Sequence, residues 1–336
     1  MNRKTYLDTT KGIGILLVVA GHILNIKGLH SWIYSFHIPL FFIVSGITLG
    51  ISNSWREKSV RQNIVSKTKS LLWPYLTFSI LSLIMTFILY GVRPTIRLVA
   101  NTIIFDGILV LWFLPALFLS NILFIIIEKT IQRLYIKCLL IIILIAITIC
   151  FSLIDYQQYD QRLLKWSLTF ACVIVRGING CVFVYIGYIL SKIATSKPKL
   201  ISSLNLIICL ILSIAVHSFL FLKNSVDFHF TKIGNPILYY TNAILGSLII
   251  ICLSFLIDKI LKFHILPWYG RNTIIIFGLH LFIKKVLDLF FEDSSYGKII
   301  LFVVVLAINT CFIFIINKFL PFIAKYPRLK KYSYNS

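Results

Sequence analysis

Runs of about 20 mostly apolar residues, each long enough to cross a hydrocarbon core as a helix, recur along the whole chain, parted only by short polar stretches with Lys, Arg, Asn and Pro. Only a bilayer suits such a chain as solvent. With 59% hydrophobic and 13% charged residues over 336 positions, and a mean hydropathy of +0.92, it carries more apolar surface than one soluble core can bury. The pattern predicts an all-α polytopic transmembrane bundle of about ten helices. They are expected over residues 12–27, 31–51, 70–90, 108–127, 138–154, 167–191, 200–222, 237–257, 272–290 and 299–322. No gap is long enough for a soluble module and no internal repeat is visible, so residues 1–336 read as a single membrane domain.

A net charge of +22 would suggest nucleic acid as the partner of a soluble protein, but its placement here argues for membrane topology instead. With the N-terminus inside, the inner segments collect Arg3, Lys4, Lys11, Arg56, Lys58, Arg61, Lys67, Lys69, Lys129, Arg133 and Lys137. They continue with Lys192, Lys197, Lys199, Lys259, Lys262, Arg271, Lys318, Lys325, Arg328, Lys330 and Lys331. The positive-inside rule then puts both termini in the cytoplasm of a multi-pass plasma-membrane protein. The outer segments hold Asp106, Asp155, Asp160, Asp227, Asp288, Glu292 and Asp293. The inner segment 52–69, with Trp55, suits anionic membrane lipid or an anionic cytoplasmic ligand, although ordinary topogenic charge accounts for the same residues. The seven cysteines all fall within expected spans without CxxC spacing, which reads as packing rather than a metal site. The first apolar run contains Lys11 and His22 and lacks a small-residue cleavage site, so it reads as a retained helix rather than a signal peptide.

Ionisable side chains inside a span are costly and call for a reason. Lys11 and His22 lie on one expected helix, eleven residues or about 16 Å of helical rise apart. His37, on the next helix, falls at a similar depth to His22, and Pro39 two residues later frees a backbone carbonyl. Arg176 stands near the middle of its span, followed by Gly177, Asn179 and Gly180; with no acid evident at its depth, a bound anion or backbone carbonyls are its expected partners. His280 follows Gly270-Arg271-Asn272-Thr273 on the ninth span. Two histidines at one depth suit proton transfer near neutral pH, because a sugar hydroxyl is a weak nucleophile until a base takes its proton as it attacks. A positive cytoplasmic mouth formed by Lys11, the 56–69 cluster and Arg271 suits the phosphates of an acyl carrier.

The stretches Leu7-Asp8, Lys11-Gly12-Ile13, Val18-Val19-Ala20-Gly21-His22 and Phe36-His37-Ile38-Pro39-Leu40-Phe41-Phe42-Ile43-Val44-Ser45-Gly46 resemble the integral membrane acyltransferase family 3. Pro74-Tyr75, Trp112-Phe113-Leu114, Ile186-Gly187-Tyr188 and the run from Gly270 to His280 are weaker landmarks of the same resemblance. It implies a roughly ten-helix fold, acetyl-coenzyme A entering from the cytoplasm, and a hydroxyl of a cell-surface glycan or lipid-linked saccharide as acceptor. It further implies a catalytic His22 and a donor-binding Lys11. On this reading His37 joins His22 in catalysis, Arg176 and Arg271 join Lys11 at the donor, and Trp112, Asn179 and His280 contact the acceptor. Direct transfer and an acetyl-histidine intermediate both stay open, and no metal is required. A transporter or flippase of a lipid-linked glycan or small anion is the competing reading; such folds often show paired halves with interrupted helices, and no such symmetry is visible.

Overall fold

The structure, a computed structural model, describes residues 5–24, 26–158, 161–260, 264–291 and 294–327. Of the charged residues named above, Arg3, Lys4, Asp160, Lys262, Glu292, Asp293, Arg328, Lys330 and Lys331 lie outside the described residues. The chain runs through α1 (Thr5–Ile23), α2 (Lys27–Tyr34), α3 (His37–Ile51), α4 (Ser54–Glu57) and α5 (Val60–Lys67). A π-helical turn at Thr68–Leu72 leads into α6 (Trp73–Tyr90), followed by α7 (Val92–Ile103), α8 (Phe113–Thr130), α9 (Leu134–Ser152) and α10 (Arg162–Ser196). Then come α11 (Ser203–Leu220), α12 (Pro236–Ile260), α13 (Ile265–Arg271), α14 (Thr273–Leu287), α15 (Ser295–Phe319) and α16 (Pro321–Ala324). Among the described residues there is no β-strand, and the fold is an all-α polytopic bundle. Among the described residues, eight stretches are long and apolar enough to cross a membrane. Each expected helix has its counterpart, with α1 and α14 completing the set. Those two fall outside the count of eight, α1 carrying Asp8 and Lys11 and α14 being only 15 residues long.

Two expectations need correction. The span expected as one helix over 31–51 is broken at Ser35-Phe36 into α2 and α3. Pro39 falls in the first turn of α3, where its missing N–H costs no helical hydrogen bond. The segment 91–107, expected as an outer loop, is largely the helix α7. After Gly91, whose φ of 79° suits glycine, α7 doubles back along α6. Tyr75, near the start of α6, donates its hydroxyl to the carbonyl of Thr102 near the end of α7 at 2.7 Å. Irregular backbone at membrane depth is tolerated where protein surrounds it, and the turn that follows α7 meets α10 through Arg176 and the α11–α12 connection through His229.

Glycines set the closest helix contacts. A Cβ on Gly46 of α3 would overlap the Val184 carbonyl of α10, and one on Gly187 would overlap the Ile43 carbonyl. The small-xxx-small pair Gly46 and Gly50 thus packs within one bundle, Gly50 lying against Ser191. Gly12 of α1 and Gly270 of α13 make the same kind of seam, each pressed on the backbone of the other helix. One end of the bundle is basic and cross-linked. Lys192 Nζ donates to the Gly50 carbonyl at 3.3 Å, Lys129 Nζ to the Arg56 carbonyl at 2.9 Å, and Lys67 Nζ to Asn121 Oδ1 at 3.1 Å. Arg56 donates to the Tyr188 hydroxyl. Trp55, within the basic segment 52–69, is buried and donates its indole N–H to the Leu49 carbonyl at 2.8 Å.

Candidate active site

Gly21 lets α2 fold tightly on the end of α1: a Cβ there would press on the Ile33 and Tyr34 side chains at 3.2 and 3.3 Å. This fold-back brings His22, Tyr34 and His37 to one cavity of about 270 Å³. Val18 and Ile38 share its wall with those three. Leu109, Val110 and Trp112 close it from the segment after α7, Asp227, Phe228 and His229 from the α11–α12 connection, and Phe277 and Leu281 from α14. His22, His37 and Trp112, expected as site residues from separate parts of the sequence, therefore line the same space.

The hydrogen bonds fix which nitrogen of each ring is open. His37 Nδ1 donates to the Ile33 carbonyl at 2.9 Å, which leaves Nε2 as the acceptor nitrogen of a neutral ring. His280 is fully buried, and its Nδ1 donates to the carbonyls of Ile276 at 2.9 Å and Phe277 at 3.1 Å. Its Nε2 has no hydrogen-bond partner among the described residues, and the ring stands 5.5 Å from that of His22. His280 thus backs His22 rather than lining the cavity as an acceptor contact. His22 is half-buried, and its Nδ1 lies 3.3 Å from the Tyr34 hydroxyl. Tyr34 in turn stacks on His30 at 3.9 Å and stands 4.8 Å from the His37 ring. With the proton on Nδ1, His22 donates to Tyr34 Oη and keeps Nε2 as a base.

Arg176 has the partners that the sequence did not reveal. Its guanidinium lies 2.9 Å from Asp106 Oδ1, its Nε donates to the His229 carbonyl at 2.5 Å, and it covers the Trp112 ring at 5.3 Å. The expectation of no acid at its depth fails because α7 re-enters and carries Asp106 inward. Arg176 ties α10 to both segments that close the cavity, and stands with the histidines rather than with Lys11 and Arg271. Burial alone would raise the Asp106 carboxyl, but the nearby His229 imidazole and the Arg176 guanidinium outweigh it and hold it below the ordinary 3.8. Burial likewise pushes the His229 imidazole below its usual 6.5, against the opposing pull of Asp106, 3.7 Å away.

Asn179, expected at the acceptor, does not line the histidine cavity. Its amide N–H donates to Tyr239 Oη at 2.7 Å and its Oδ1 accepts from Tyr240 Oη at 3.2 Å, so it joins α10 to α12. At the basic end, Lys11 pairs with Asp8 at 2.8 Å, and the Gly12–Gly270 seam sets its neighbour Arg271 at the same end, exposed. A larger open cavity of about 1010 Å³ lies at this end, with Ser66, Lys69, Ser70, Ile274, Lys325 and Tyr326 in its wall. Lys69 Nζ sits 4.6 Å from the centre of the Tyr326 ring.

Sequence reasoning did not single out Tyr34 and His229 at the histidine cavity and read Asp227 only as an outer-segment acid, because it weighed chiefly histidines and cations inside the expected spans. The run Asp227-Phe228-His229-Phe230 between two spans was the available signal.

No curated protein and no solved structure matches the chain. Residues 4–318 match the family described as "Acyltransferase domain", which covers every residue of the histidine cavity and all but the end of the helical bundle, and the chain therefore belongs to the membrane proteins of acyltransferase family 3.

Proposed function

We propose that this membrane acyltransferase moves an acetyl group from acetyl-coenzyme A to a hydroxyl of a cell-envelope glycan or lipid-linked saccharide at the plasma membrane. The observation that carries the reading is the placement of His22 in a cavity shared with Tyr34, His37 and Trp112. A base, a hydroxyl donor and an aromatic wall in a space roofed by loops suit a sugar. With the basic end cytoplasmic, the donor enters there, its phosphates meeting Lys69 and Lys325 in the open cavity and Lys11 and Arg271 at its approach. Ile274 borders that cavity, while Phe277 and Leu281 border the histidine cavity. Positions 274, 277 and 281 share one face of α14 and span about 10 Å of helical rise, a track along which a flexible thioester arm can reach His22.

In the step itself, His22 Nε2 takes the proton of the acceptor hydroxyl as that oxygen attacks the thioester carbon. The C–O bond forms, the C–S bond breaks, and the departing thiolate collects the proton from His22. His37, neutral and held by the Ile33 carbonyl, offers Nε2 to a second hydroxyl of the acceptor and orients it. His280 keeps the His22 ring in place from behind.

The test is the acetate content of surface glycan in cells carrying His22→Ala at normal protein level, joined to thiol release from acetyl-coenzyme A by purified protein. Loss of acetate, and wild-type thiol release only when acceptor is present, are expected. Undiminished acetate removes His22 from the mechanism.

A further inference from the structure

Beside the histidine cavity, at the end of the bundle away from Lys69 and Lys325, lies a separate pocket of about 300 Å³. We infer that it receives a phosphate-bearing unit of the acceptor, holding it at headgroup depth while a neighbouring sugar reaches His22. The inference rests on the reading of the chain as a glycan acyltransferase and adds to it the chemical class of the acceptor.

Three observations carry it. The pocket wall includes Arg97 from α7, Lys165 and Trp166 from the start of α10, and Asn101. Its one carboxylate, Asp106, is already engaged by Arg176. The wall thus presents two cations, two amides and an indole to whatever enters, Lys165 spending one of its three donors on the Gln157 carbonyl at 3.2 Å, a combination that suits a phosphate attached to a sugar ring.

Depth is the second observation. Lys165 stands eleven residues further out along α10 than Arg176, about 16 Å by helical rise. On α7, Val92, Ile96, Val99 and Ile103 form an exposed apolar stripe at helical spacing. In a membrane bundle that stripe meets lipid, and Arg97 stands between it and the pocket, at the boundary where an anchored phosphate resides.

The third is continuity. Phe230 borders this pocket while Phe228 and His229 border the histidine cavity, so one short stretch of chain parts the two spaces. A phosphate on one side of that partition leaves the adjoining sugar on the other.

The experiment measures binding to the purified full chain in detergent by calorimetry, using glucose 1-phosphate as probe beside glucose and inorganic phosphate, with phosphatidylglycerol vesicles as competitor. Glucose 1-phosphate is expected to bind and to weaken with added salt, and glucose to fail. Arg97→Gln and Lys165→Gln, both at exposed positions, should each weaken it about ten-fold, as for a lost charge-assisted hydrogen bond. Equal binding by glucose, equal binding by inorganic phosphate, displacement by the lipid, or full affinity in both variants each overturns the inference. The thiol-release assay separates it from the broader reading. If the wild type transfers acetyl groups and the variants keep the wild-type KM for acceptor, the pocket proposal falls and the acyltransfer reading stands. If glucose 1-phosphate binds as expected but no acceptor elicits thiol release, the glycan acyltransfer reading falls and the phosphate site stands.

Discussion

Arg176 is 1% exposed within an apolar bundle, so its charge must be met by protein, and Asp106 meets it at 2.9 Å. Removing one partner of a buried pair strands the other, at a cost of about 3–5 kcal/mol, whereas removing both costs less. Asp106→Asn should therefore lower the stability of the purified protein by about that amount in chemical unfolding within micelles, and Asp106→Asn combined with Arg176→Met should recover part of the loss. A double variant no more stable than the single one would show that the two residues are not energetically coupled. The pH dependence has a definite sign. The folded Asp106 carboxyl lies below its unfolded value of 3.8, so its contribution is complete above that value and is lost as pH falls through the folded one. Asp106→Asn protein should lack this acid-side component.

At the scale of helices, the seam between α3 and α10 is the most demanding contact, because at Gly46 and Gly187 backbone meets backbone. Gly46→Leu has no flexible neighbour to displace. It should cost more than the about 1–3 kcal/mol of ordinary overpacking, and is expected to appear as loss of monodisperse protein on extraction. Gly28, whose Cβ would meet nothing within 4 Å, is the matched control: Gly28→Ala should extract like the wild type. Gly46 and Gly50 have the small-xxx-small spacing of close helix contacts, a pattern visible in the sequence itself. The spans were legible for a similar reason, since α9 and α15 are apolar on nearly all sides. α7 was not. Arg93, Thr95, Arg97, Asn101 and Thr102 make Val92–Ile103 too polar to register as membrane-embedded. Its return along α6 depends on Tyr75 and on the Asp106–Arg176 pair, which are far apart in sequence. The site split along the same line. His22 and His37 stood out as histidines inside spans, whereas Asp106 and His229 sit on segments between spans, where contacts with the distant Arg176 hold them in the bundle.

Across the whole molecule, the two cationic cavities on either side of the histidines divide the chemistry by depth. The basic end offers Lys69 and Lys325 around an open space, and α14 passes from that space, at Ile274, to the histidines, at Phe277 and Leu281. If the donor enters at the basic end and the acceptor at the other, variants at the two ends must affect different kinetic constants, because each removes binding to one substrate only. Reversing charge with Lys69→Glu and Lys325→Glu should raise the KM for acetyl-coenzyme A by about ten-fold or more, as expected of lost phosphate contacts, while the KM for acceptor and kcat at saturating donor stay near wild type. Added salt should raise the wild-type donor KM in the same direction, since contacts open to solvent are screened. A rise in acceptor KM instead would reverse the assignment of the two ends. An equal fall in kcat and kcat/KM would mean that these lysines act on the transition state, which their place, a stretch of α14 away from His22, does not allow by direct contact. The comparison therefore tests the division of the molecule without requiring the acceptor sugar to be identified beyond a preparation that supports turnover.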